Sequence, residues 1–361
     1  MSEMLFKEGL KGPWWGLPML IGWFVPMATI VGGYIMIGGI FVCVYSVGLL
    51  GMWVGMELSF FGAIGVLGGS SVEEVEGVQK YFIIQVFSSI FLLIGFLLVV
   101  NFYSGGWLVE FILVVGLMVK LGLFPFYFWI PSVMGVVSWV GCFVVSVVQK
   151  FNPIWILVNL MVGSYMQQVI EFSACLTGLV GCIGGIGVLQ FRVLLAFSSM
   201  VHLGYMVFMS LIGWGVFLSY MGLYFCLSFS LMVSLWVCGV YSFLDLVKSN
   251  GEGEMNLFMI SLYMFSFAGV PPLSGCFMKA VFLLSCWELF PIGCVILFLS
   301  SGVSLFYYSS FFLYLNLYWG SMLKWEFVKG KAGGLKVFLF FVSVLLNVAM
   351  GFGLFLFIVV V

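Results

Sequence analysis

The 361 residues are 64% hydrophobic and 7% charged, with a net charge of -1. Soluble domains are about half apolar and about a quarter charged, so this balance excludes a soluble protein and implies an integral membrane one. The absence of a basic or acidic excess also excludes nucleic acid and strongly charged partners. The nine cysteines lie in apolar segments without a C-x-x-C pair. They read as small buried hydrophobes, not as a disulfide framework, a zinc site or an iron-sulfur cluster.

From the N-terminus, MSEMLFKEGLKGPWW carries acidic residues and no Arg-rich amphipathic pattern, so it is a poor import signal. Lys7, Lys11, Trp14 and Trp15 suit an interfacial anchor instead. Threonine occurs only at Thr29 and Thr177, while Phe and Gly are abundant, a skew toward T- and G-rich codons that supports an organelle-encoded chain.

Spans of about 20 apolar residues recur at 28–47, 49–68, 79–101, 108–131, 137–161, 173–190, 193–212, 215–243, 256–286, 291–318 and 337–359. Counted through these spans, Lys7, Lys11, Lys80, Arg192, Lys248, Lys324, Lys329, Lys331 and Lys336 fall on the side of the N-terminus. The opposite connections carry no Lys or Arg. By the positive-inside rule the N-terminus faces the cytoplasm, or the matrix of a mitochondrion. Pro125 and Pro131 interrupt the fourth span, and GVPPLSG at 269–275 interrupts the ninth. Broken helices are tolerated at membrane depth only inside protein or beside water, and a matched pair in two halves marks a transporter repeat.

The expected fold is therefore an all-α polytopic membrane protein of about eleven transmembrane helices, in two inverted five-helix repeats with two broken helices, plus a final helix. Residues 1–25 would be an interfacial segment, 26–165 and 166–320 the repeats, and 321–361 a basic loop with the last helix.

Most ionisable residues have a plain reading. Glu73, Glu74 and Glu76 form an acidic loop, and Glu110, Glu171, Asp245 and Glu288 lie near helix ends within reach of water. Glu57, Lys120, Lys150 and Lys279 do not. Lys120 lies some 16 to 19 Å from either end of its span at about 1.5 Å per residue, too far for a lysine to snorkel. At roughly 2.5 to 3.5 kcal/mol each, four unpaired charges at the bilayer centre cost about 10 to 14 kcal/mol. A buried ion pair that fixes packing explains any one of them. It does not explain the set, because three cations and one anion cannot all pair. Some lysines are then neutral part of the time, as a proton relay requires. Glu57 would hold Lys120 charged, and a proton arriving at Lys150 would compete with it. His202, the one histidine, suits a shuttle by its ordinary pKa near 6.5 and equally suits a satisfied core position.

Six stretches carry a family resemblance: MWVGMELSFFGAIGVL from Met52, EGVQKYFIIQ from Glu76, VKLGLFPFYFWIPSV from Val119, VVQKFNPIWIL from Val147, FRVLLAFSSMVHLGYM from Phe191 and GVPPLSGCFMK from Gly269. In these stretches the chain resembles the chain 2 family of mitochondrial NADH:ubiquinone oxidoreductase, the antiporter-like membrane-arm subunits of respiratory complex I. The resemblance implies a proton-translocating core subunit in the mitochondrial inner membrane, part of a hetero-oligomer with other membrane-arm subunits and lipids such as cardiolipin. NADH, FMN, iron-sulfur clusters and ubiquinone would be handled by other subunits, with no cofactor and no metal in this chain. It also implies that Glu57, Lys120, Lys150 and Lys279 form a central hydrophilic axis with His202. Tyr127, Ser132 and Met278 depart from the family, which usually has histidine, glutamate and proline there. A phenol of pKa near 10 is a poor shuttle, so the FYFW break suits water admission better than proton transfer. Competing readings are a subunit of a cation/proton antiporter and a structural membrane-arm scaffold.

Overall fold

A computed structural model of the chain describes residues 17–69, 71–102, 106–160, 163–243, 245, 254–271, 273–321, 344–345, 347–349 and 351. These residues form helices and no strand; the one β-type contact among them is an isolated bridge between Gln190 and Ser242. In chain order the helices are α1 (Leu17–Tyr45), α2 (Leu49–Leu67), α3 (Val72–Phe102), α4 (Trp107–Leu121), α5 (Trp129–Met134) and α6 (Trp139–Asn159). They continue as α7 (Ser164–Gly184), α8 (Phe191–Ile212), α9 (Trp214–Cys238), α10 (Glu254–Ala268), α11 (Ser274–Cys286) and α12 (Pro291–Ser321).

Among the described residues eight helices are long and apolar enough to cross a membrane, which bears out an all-α polytopic membrane protein. The expected spans at 108–131 and 256–286 are each split, into α4 with α5 and α10 with α11. The expected span at 337–359 lies mostly outside the described residues, as do residues 1–16 of the expected interfacial segment, so eleven spans are not established. Three helices begin well before hydropathy indicates: α1 at Leu17, so that residues 17–25 of the expected interfacial segment are helical and continuous with it, α3 and α7. α3 starts at Val72 because Ser71 and Glu74 form a reciprocal cap: the Glu74 N–H donates to Ser71 Oγ at 3.2 Å and the Ser71 N–H to Glu74 Oε2 at 3.2 Å. α7 starts at Ser164 because Met, Gln and Glu are good helix formers even where they lower the hydropathy.

Helices α1 and α2 pack through glycine. A Cβ at Gly32 would stand 2.7 Å from the Gly62 carbonyl, and one at Gly55 2.8 Å from the Gly39 carbonyl. Such contact lets two backbones approach where lipid supplies no hydrophobic drive; Ser59 lies in this seam, its Cα 2.9 Å from where a Cβ at Gly39 would stand, and Glu57 lies on the far side of α2. At the centre runs α8, buried on nearly every side and packed against α5, α6, α7, α9, α11 and α12.

Connections expected on one side of the membrane do meet at one end. Arg192 donates to the Val136 and Val137 carbonyls at 3.1 and 2.8 Å and lies 5.0 Å from the Tyr241 ring centroid. Toward the other end the Gly163 N–H donates to Glu110 at 3.1 Å, again joining two connections expected on a common side.

Gly62→Val places a branched side chain against the α1 backbone, where overpacking costs about 1 to 3 kcal/mol. The expected result is a lower thermal midpoint and a lower yield of assembled protein, with Gly38→Val, which faces open space, close to unaltered.

Candidate functional site

The first break begins two residues after Lys120, earlier than the prolines suggest. Gly122 adopts φ 73°, the Gly122 N–H donates to the Met118 and Val119 carbonyls, and the Leu123 N–H donates back to Met118 at 2.9 Å. This is a glycine-capped helix end, built where an L side chain would be strained. Lys120 thus occupies the last turn of α4, in the field of its terminal carbonyls, which favours a cation. Lys120 Nζ donates to Glu57 Oε1 at 2.7 Å and lies 5.9 Å from the Phe60 ring centroid. The two side chains are 3% and 13% exposed, so each lacks the water that would otherwise solvate it. Gln85 Nε2 donates to the Lys120 carbonyl at 3.3 Å, covering an acceptor that the helix end leaves free.

The second break repeats this cap. Gly269 has φ 76°, its N–H donates to the Phe265 and Ser266 carbonyls at 3.0 Å, and the Val270 N–H donates to Phe265 at 3.2 Å. Lys279 lies on the far half, α11, yet its Nζ reaches back to donate to the Ala268 carbonyl at the end of α10. Its stem crosses Gly269 so closely that a Cβ there would stand 2.7 Å from Cε and Nζ. Both breaks therefore place a lysine beside the C-terminal end of a half-helix, Lys279 bonding that end directly and Lys120 turning to Glu57.

Lys150 follows a π-helical turn at Val144–Val148 and precedes Pro153, two departures that loosen the ladder of α6 around it. Its Nζ donates to the Ser199 carbonyl of α8 at 2.7 Å and not to a carboxylate. The opposite face of α6 turns to α2: Gln149 Nε2 donates to the Ser59 carbonyl at 3.0 Å and Asn152 Nδ2 to Ser59 Oγ at 2.7 Å. Asn152 Oδ1 is buried and has no partner among the described residues.

His202 stands one turn beyond Ser199 on α8. Its Nδ1 lies 2.8 Å from the Tyr220 hydroxyl, and the rings of Tyr205, Tyr224 and Phe267 surround it. A satisfied core position is thus present, one turn from Ser199, the acceptor of Lys150, and against Phe267, the neighbour of the Lys279 acceptor Ala268.

The five sequence-derived residues thus fall into two groups. Glu57 and Lys120 form one, Lys150, His202 and Lys279 the other, and α6 separates them with Ser59, Gln149 and Asn152 on its α2 side. These last three, with Gln85 and Tyr220, are missed when only ionisable groups are weighed. An amide in an apolar span is the signal that marks Gln85, Gln149 and Asn152. Tyr127 stacks on Phe124 and Phe128 and lines a groove of about 560 Å³ with Ser132, Val180 and Phe197, outside both groups. The acidic residues set aside above have local roles: Glu76 pairs with Lys80 at 2.8 Å in the open, and Asp245 Oδ2 accepts from the Tyr241 and Ser242 N–H groups. Among the described residues no three His, Cys, Asp or Glu side chains cluster as metal ligands. Eight of the nine cysteines, those with described side chains, are free thiols, and Cys226 is exposed, contrary to the expectation that all are buried; an unbranched thiol is apolar enough to face lipid.

Two broken helices flanking a buried file of charged and polar side chains define a polytopic membrane protein of the antiporter-like class. Residues 46–304 match the family model described as "NADH:quinone oxidoreductase/Mrp antiporter, TM", and the chain belongs to that family. It is 28% identical over 280 residues to NADH-ubiquinone oxidoreductase chain 2 of Locusta migratoria, covering 75% of this chain and 80% of that one. It is 28% identical over 266 residues to the chain 2 protein of Lumbricus terrestris, covering 71% and 77%. Among solved structures it shares its fold with a chain of respiratory complex I from Thermus thermophilus, at TM-score 0.65, 20% identity and coverage of 77% and 68%. A chain of the Mrp complex from Dietzia gives 0.64 at 16% identity, covering 77% and 58%. The family resemblance read from the six motifs is borne out.

Gly269→Ala forces a side chain into a left-handed conformation, which costs about 1 to 2 kcal/mol, and into the Lys279 stem as well. A lower thermal midpoint of the purified complex is expected, with Gly222→Ala, which faces open space, as the unaltered control.

Proposed function

We infer that this chain is the chain 2 type of antiporter-like membrane subunit in a proton-pumping NADH:ubiquinone oxidoreductase, and that it carries protons through the file from Glu57 to Lys279. The carrying observation is the unequal treatment of three buried lysines: Lys120 has a carboxylate, whereas among the described residues Lys150 and Lys279 donate to backbone carbonyls. A carbonyl accepts from an ammonium or from a neutral amine, so the last two lysines keep a partner when they give up a proton. The Glu57–Lys120 pair does not, since a proton lost by Lys120 leaves the Glu57 charge buried and unpaired. The pair therefore acts as the switch, and the carbonyl-bound lysines act as stations.

Transfer between the two groups crosses α6. Ser59 and Asn152 supply hydroxyl and amide groups there, and Asn152 Oδ1 is an acceptor for a bridging water. His202, between Lys150 and Lys279, completes the second group. The matched glycine caps at Gly122 and Gly269 support two inverted repeats, 26–165 and 166–320, followed by the segment 321–361.

Electrons reach quinone through NADH, FMN and iron-sulfur sites in other subunits, and this chain supplies no redox centre. Its place is the mitochondrial inner membrane, N-terminus on the matrix side, against other membrane-arm subunits and lipids such as cardiolipin. The cation/proton antiporter reading is less favoured. The Mrp likeness is one of fold at 16% identity, whereas relatives over two thirds of the chain are complex I subunits. Activity that depended on sodium and not on NADH and quinone would restore it.

Replacement of Lys120 or Lys150 by Met tests the relay against a scaffold role. In the assembled complex, protons translocated per NADH oxidised should fall in both variants; an unaltered ratio would reject the relay for that residue. Asn152→Leu, which removes one hydrogen-bonded step, should slow proton output by about tenfold, the equivalent of ~1.4 kcal/mol.

A further inference from the structure

One described residue of the C-terminal segment, Asn347, bonds to both sides of the second break. Asn347 lies beyond the 46–304 family match, in an apolar run where a bare amide would be costly. It is buried, and both ends of its amide are engaged across the break. Its Oδ1 accepts from the Ser274 N–H at 3.3 Å and from Ser274 Oγ at 2.6 Å, which caps the start of α11 in trans. Its Nδ2 donates to Ser266 Oγ at 2.6 Å, near the end of α10. Three buried polar side chains thus satisfy one another, and one amide spans both half-helices.

We propose that Asn347 is a positioning residue for Lys279: by tying Ser266 to Ser274 it fixes the stagger of α10 against α11, and so the reach of the lysine to the Ala268 carbonyl. Lys279 and Ala268 sit on opposite sides of the break, so their contact depends on how the halves are set. Ser274 is one and a half turns before Lys279 on α11, and Ser266 is two residues before Ala268 on α10, so the amide ties both ends of the lysine's hydrogen bond. Gly275 contributes to the same setting, because its backbone presses on the Ser266 carbonyl with no room for a Cβ. The chain beyond the family match is then part of the proton machinery through contact and not merely a membrane anchor.

This inference rests on the relay reading of Lys279, and the test separates the two. Lys279→Met, Asn347→Leu and the double variant are compared in the assembled complex by protons translocated per NADH oxidised. Asn347→Leu should lower the ratio as Lys279→Met does, and the double variant should fall no further, since residues that act as one unit are not additive. If Lys279→Met lowers the ratio and Asn347→Leu does not, or if the two losses are independent, the positioning role is overturned while the relay stands. If Lys279→Met pumps at the unaltered ratio, the relay reading of that lysine falls and the positioning role with it. Should Asn347→Leu fail to assemble, Ser266→Ala and Ser266→Thr decide: loss with Ala and recovery with Thr, which keeps the hydroxyl, supports the proposal. An unaltered ratio in Ser266→Ala overturns it.

Discussion

An ammonium group in a hydrocarbon slab needs an acceptor that the slab does not contain, and here a carboxylate, a helix carbonyl and an interrupted helix end each provide one. An intact helix spends its carbonyls on its own amides, so it offers a lysine at mid-depth only the second lone pair of a carbonyl, as α8 does at Ser199. Breaking the helix leaves carbonyls free and aligned with the negative end of the helix dipole. Gly122 and Gly269 make the breaks; Lys279 delivers its ammonium group to the end of α10, whereas Lys120 sits in the last turn of α4 and turns its ammonium group to the carboxylate of Glu57. That carboxylate is the feature that makes the two breaks unequal.

The remaining architecture follows from bringing such sites into one file. Glycine contacts between α1 and α2 run past Ser59 and leave Glu57 on the far side of α2. The π-helical turn and Pro153 allow α6 to present Gln149 and Asn152 to α2 while Lys150 turns to α8. α8 is buried on almost all sides, which places Ser199 and His202 at the centre of the bundle. Polar side chains occupy the intervals between charges, and each costs stability unless its partner is present. Asn152 Oδ1, unpartnered among the described residues, marks the interval that their groups alone do not close.

The charged members of the site are legible in the sequence because the cost of a charge in an apolar run is large and local. Glu57, Lys120, Lys150 and Lys279 stand out on that ground, and the prolines near two of them reveal that helices break. The positions of the breaks are less legible. Pro125 and the Pro271-Pro272 pair draw attention, but the turns are made at Gly122 and Gly269, and a positive φ leaves no trace among 46 glycines. Helix starts at Val72 and Ser164 are obscured because hydropathy reports the apolar core of a span and not its capped, polar ends. Partners distant in sequence are obscured for another reason. Asn347 and Ser266 are 81 residues apart, and each alone reads as an ordinary polar residue.

The central claim is that the Glu57–Lys120 pair opens and closes as protons pass, and the carboxylate of Glu57 reports this directly. Infrared difference spectroscopy of the complex at rest and during turnover, with the Glu57 band assigned by its loss in Glu57→Gln, observes that group alone. A carboxylate band that shifts between rest and turnover, and stops shifting in Lys120→Met, is the expected result. A band that stays fixed while the complex pumps at full rate would show a static structural ion pair and contradict the switch.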